Sequence, residues 1–91
     1  MTLAFTSLGT SPLTGKAAVD QCIAMKRQLR SVLPFIDGAS AMIVTDAESQ
    51  RCEVRAVYDR GDKYAVAWAT RAAEVSPEIW ETMAKRRRER E

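Results

Sequence analysis

Any chemistry done by this chain would have to come from a short list of side chains, because its 91 residues include no histidine. That removes the commonest general base, the commonest zinc ligand and every Ser-His or Cys-His pair. Two carboxylate pairs remain for acid–base work, Asp46 with Glu48 and Asp59 with Asp62. Both sit among turn-forming residues, where acidic side chains serve the backbone, whereas catalysis needs a shaped and perturbing environment. The reading is therefore of a non-enzymatic protein with no catalytic residue, no metal site and no cofactor. Cys22 and Cys52 lie too far apart for a CxxC pair and are too few for a disulfide framework, so they are expected as buried free thiols. Arg60-Gly61-Asp62 spells the tripeptide that integrin ligands present, yet a hairpin turn accounts for both Gly61 and Asp62.

Charge supplies the more conspicuous candidate. The net charge is +2, and the segment Lys85-Arg86-Arg87-Arg88-Glu89-Arg90-Glu91 contributes +3, which leaves residues 1–84 at −1. Lys85, Arg86, Arg87, Arg88 and Arg90 could meet phosphates or an acidic protein surface. A basic helix end is also stabilised by the helix dipole and solvated for ordinary reasons. No apolar residue in this segment suits it to a membrane surface. Nor does any stretch of the chain approach the roughly 18 apolar residues of a membrane span, and no basic start with an apolar run marks a signal peptide. A cytoplasmic setting is the default expectation.

The elements that must position these groups can be read from periodicity. A hydrophobic fraction of 46% and a charged fraction of 29% suit a globular chain, and residues 1–91 read as one domain. Thr2 to Thr6 alternate as a short edge strand or a loose arm. Ala18, Cys22, Met25, Leu29 and Val32 recur every four and three residues, which predicts a long amphipathic helix. Ser11-Pro12 or Thr14 would open it, and Pro34 should end it near Leu33. Three β-prone runs follow, Ala41 to Thr45, Arg51 to Tyr58 and Lys63 to Thr70, as an antiparallel meander. Ser76-Pro77-Glu78 then repeats a helix start and predicts a short basic C-terminal helix.

The expected fold is thus α+β, a long N-terminal helix on a three-stranded antiparallel sheet, with the N-terminal segment as a further edge strand if it pairs. Loops of five residues (46–50) and three residues (60–62) would set Thr45 opposite Arg51 and Asp59 opposite Lys63. One face then gathers Met42, Val44, Cys52, Val54 and Trp68. The other carries Ile43, Arg51, Arg55, Val57 and Arg71, taken here as the partner-binding residues. This half-apolar face predicts a protein-interaction module, such as an inhibitor or adaptor of a larger assembly, a phage or mobile-element anti-defence protein being one example. The alternatives are a nucleic-acid-binding protein using the basic tail and a self-assembling subunit, with a homodimer within reach.

Overall fold

The structure is a computed structural model that describes residues 2–90, Arg90 by its backbone alone. In chain order the elements are β1 (Leu3–Thr10), α1 (Gly15–Val32), β2 (Ala39–Thr45), β3 (Cys52–Asp59) and α2 (Lys63–Arg90). The sheet has the order β1-β3-β2, with β3 antiparallel to both neighbours. β1 and β2 therefore run parallel to each other, and α1 is the crossover that parallel strands require, a split βαβ arrangement. The α+β class, the three-stranded antiparallel sheet and the packing of helix on sheet agree with the sequence pattern. The identity of the third strand does not, because the N-terminal segment fills that place.

The stripe of α1 works as its spacing dictates, with Ala18, Cys22, Met25 and Leu29 all buried. Thr14 is the N-cap but makes no side-chain capping bond. Ser11 serves the entry differently. Its Oγ accepts from the Leu13 N–H at 3.1 Å, and its own N–H donates to the Cys52 carbonyl at 2.8 Å, pinning the β1–α1 connection to β3.

Lys63 to Thr70, expected as a strand, is instead the first two turns of α2, a helix of 28 residues. The alternation of Tyr64, Val66 and Trp68 with Ala65, Ala67 and Ala69 suits a period of two, but buried Ala65, Trp68, Ala69 and Ala72 also suit a period of 3.6. Alanine is the best helix former, and Asp62 decides the matter as the cap. Its Oδ1 accepts from the N–H groups of Tyr64 at 2.9 Å and Ala65 at 3.2 Å. The expected helix start at Ser76-Pro77 lies inside the same helix. Pro77 has no N–H for the carbonyl of Ala73, and the buried Ser76 hydroxyl donates to that carbonyl instead, at 3.3 Å. The helix runs on because its missing bond has been replaced.

The β2–β3 register is one residue away from the expected one, with Thr45 opposite Cys52, Ile43 opposite Val54 and Met42 opposite Arg55. Asp46 takes the place expected of Thr45 opposite Arg51, its N–H donating to the Arg51 carbonyl at 2.9 Å, and Gln50 closes the turn in the left-handed region at φ 59°. This slip moves every β2 side chain to the opposite face. Ala41 now faces the helices beside Val54 and Ala56, whereas Met42 faces away.

Both helices cover one side of the sheet, where Leu8, Cys52, Val54 and Ala56 meet Met25 and Leu29 of α1 and Trp68, Ile79 and Met83 of α2. Trp68 donates its indole N–H to the Pro34 carbonyl at 3.0 Å and meets Phe35 edge to face. β1 carries a bulge between Ser7 and Gly9 that turns Leu8 into the core. There Trp80 donates its indole N–H to the Leu8 carbonyl at 2.7 Å and lies against Gly9. Gly9 has φ 123°, and a Cβ at this position would run into the Trp80 ring.

Candidate interaction surface

The side of the sheet turned away from the helices is built by alternation from all three strands. Residues directly opposite one another share a face, so the ladder places Phe5, Val57 and Ser40 in one row and Ser7, Arg55 and Met42 in the next. Leu3 with Asp59 flanks the first row, and Glu53 with Val44 flanks the second. No helix of the described residues lies over these rows. Leu3 is 64% exposed, Phe5 57% and Met42 49%, and together with Val44 and Val57 they form an apolar surface on one plane. Single exposed apolar residues are ordinary, but a contiguous group of them marks interaction sites.

Arg55 occupies the centre of this surface and is held there. Its Nε donates to Glu53 Oε1 at 2.6 Å, and its guanidinium carbon lies 4.2 Å from the centroid of the Phe5 ring. Glu53 is fixed in turn. A hydrogen bond from the Ser7 hydroxyl, and then the Arg55 guanidinium, hold its carboxyl below the usual range against the opposing effect of burial. The two charges thus neutralise one another along β3, while Ser7 and Phe5 of β1 hold the carboxyl and the flat Arg55 head against the face. At the end of the sheet Arg51 and Arg55 line a shallow depression of about 280 Å³ with Asp46 and Glu53.

No protein-family model matches the chain, and no match was found among curated proteins or solved structures. The arrangement of the residues must carry the functional reading by itself. Of the partner-binding residues expected from sequence, the structure unites Arg55 and Val57 on the uncovered face and leaves Arg51 at its end. Ile43 does not join them. The register turns it towards the helix side, where it lines a groove of about 250 Å³ with Ile23, Lys26, Arg27, Arg30 and Phe35. Arg71 is not on the sheet at all, because its segment is helical, and it forms an exposed pair with Glu74 at 3.0 Å along α2. Leu3, Phe5 and Met42 were missed. The alternation of Leu3 and Phe5 was a visible signal, while Met42 needed the correct register.

The remaining candidates serve the backbone. Asp46 accepts from the Glu48 N–H at 3.1 Å and the Ser49 hydroxyl at 2.8 Å, and the Ser49 bond is the main reason its carboxyl is held low. Asp59 accepts from the Gly61 N–H at 3.0 Å, and Asp62 is the α2 cap, so Arg60-Gly61-Asp62 is a strand-to-helix turn and not the hairpin expected. Among the described residues no group of three or more potential metal ligands occurs. Cys22 and Cys52 are free, buried and adjacent, and burial first, then Cys52, pushes the Cys22 thiol up to about 12. Lys85, Arg86, Arg87 and Arg88 lie exposed on the last turns of α2. Arg86 and Arg87 line a depression with Asp20, Gln21 and Gln28 of α1, so part of the basic end faces the protein itself. The Arg90 side chain and Glu91 lie outside the described residues. No helix among the described residues is long and apolar enough to cross a membrane.

Proposed function

We propose that this protein is a non-enzymatic binding module that docks another protein on the uncovered face of its sheet. The observation that carries this reading is the coplanar exposure of Leu3, Phe5 and Met42 around a fixed Arg55. The mixture suits a protein surface: apolar side chains for burial, with one arginine and two carboxylates to orient the partner. It suits nucleic acid less well, since Glu53 and Asp59 share the face and would repel phosphates. An inhibitor or adaptor of a larger assembly works through such a surface without chemistry of its own.

The test compares three immobilised proteins in extract of the native cell: wild type, Phe5→Asp/Met42→Asp, and a chain ending at Ala84. The face reading expects a protein retained by wild type and by the shortened chain, lost from the double variant, and little affected by added salt. Retention that survives the double variant, or that disappears with the basic end and falls steeply with salt, contradicts it.

A further inference from the structure

We infer that the chain pairs with a second copy of itself along the outer edge of β1, extending the sheet to six strands. The hydrogen-bond parity of β1 is the first observation. The Arg60 N–H donates to the Thr2 carbonyl, so residues 2, 4 and 6 bond to β3 and the main-chain groups of Leu3, Phe5 and Ser7 point outward. None of the turn, loop and cap hydrogen bonds between backbone groups of the described residues engages them either. From Leu3 to Ser7 this edge has no proline, charge or bulge, the devices that normally keep strand edges apart. Its second half is protected, by the bulge and by Trp80 on the Leu8 carbonyl. The free segment is therefore short and symmetric about Phe5. A twofold axis at Phe5 sets Leu3 of one copy against Ser7 of the other, an antiparallel match that closes as a dimer and cannot extend into a fibre.

The second observation comes from α2, which lies above β1. Its core side is Ala65, Trp68, Ala72, Ile79 and Met83, and its flank towards α1 includes Arg71, Val75 and Thr82, which line a depression with Gln28 and Val32. The opposite flank, marked by Trp80 at the β1 edge, reads Val66, Thr70, Ala73, Pro77, Trp80 and Ala84. These recur every four and three residues, the spacing of a helix-pairing seam, and not one is charged. Charged Glu74 and Glu81 fall on the outward side of the helix. The same twofold that pairs the strands brings this flank against its own copy, antiparallel. From Val66 to Ala84 the flank is about 27 Å long, and a helix on a sheet makes a side wall roughly 20 Å tall. Such a wall covers on the order of 500 Å² per copy, or about 1,000 Å² in total, the lower bound for a specific interface.

Sedimentation equilibrium of the full chain up to about 1 mM, with amide hydrogen exchange at the same concentrations, tests the pairing. The expected result is a species of twice 10.1 kDa in which the Leu3, Phe5 and Ser7 amides gain protection as the dimer forms. Phe5→Pro removes an outward N–H, and Thr70→Glu puts a charge on the exposed α2 flank, and each should weaken dimerisation at least tenfold. Met42→Asp, away from the edge, should leave it unchanged. A monomer throughout the range overturns the inference. So does a dimer whose Leu3, Phe5 and Ser7 amides exchange as freely as in the monomer, whatever the variants do.

Discussion

The two faces of this sheet are made by the same strand alternation and end in opposite states. Towards the helices point Ala41, Cys52, Val54 and Ala56, all fully or almost fully buried, and three of these four are small. Away from them point Leu3, Phe5, Met42 and Val57, which are larger and have no helix above them among the described residues. Small side chains on the covered face let two helices lie side by side against three strands, so the core is completed by Met25, Leu29, Trp68 and Ile79 from the helix layer. Large apolar side chains on the other face add nothing to that core. The contrast separates residues that stabilise the fold from residues that the proposed function gives to a partner.

The largest expected effects lie on the covered side. Leu29→Ala and Trp68→Ala should each destabilise the protein by about 2–5 kcal/mol through lost burial and the cavity left behind. Trp68→Ala also leaves the Pro34 carbonyl without its donor. Urea denaturation checks both, and wild-type midpoints would break the assignment of the core. A smaller loss is expected where β1 meets α2. Gly9→Ala forces a Cβ into the Trp80 indole at a positive φ and should cost about 1–3 kcal/mol.

Next come the thiols of the covered side. Cys22 and Cys52 should resist a water-soluble thiol reagent in native protein at pH 8 and react once it is unfolded, and rapid native labelling would place them at the surface. The Cys22 thiol is raised in the fold, so above pH 9 the unfolded chain loses this proton while the folded chain keeps it. Stability should fall as pH rises from about 9 towards 12, measurable as a declining melting temperature that Cys22→Ala flattens. The smallest effect belongs to the open face. Phe5→Ser should shift stability by less than about 1 kcal/mol, because a side chain that stays exposed forfeits little burial. A loss comparable to that of Leu29→Ala would erase the distinction between the faces.

The sequence pattern revealed α1 and β3 almost fully, since each has one strong period and a clear terminator. It misjudged Lys63 to Thr70 because an alanine-rich run with alternating bulky residues satisfies two periods at once. Only the capping bonds of Asp62 separate them. Ser76-Pro77 misled for a related reason, in that a serine able to satisfy the carbonyl that proline abandons looks the same as a serine that caps. The β2 register turned on Gln50, a left-handed residue without glycine's signature. One residue of slip then exchanged Met42 for Ile43 on the uncovered face. Arg55 and Val57 were correctly placed, since β3 is the central strand and its alternation was unambiguous.

Which side chains feel a partner is open to direct measurement. Methyl spectra of isotope-labelled protein, recorded as the protein retained in the extract experiment is added, would report the two faces separately. The proposed function predicts shifts or broadening of the Leu3, Met42, Val44 and Val57 methyls, with Met25 and Leu29 unmoved. Changes confined to the end of α2, with the open-face methyls silent, would contradict it.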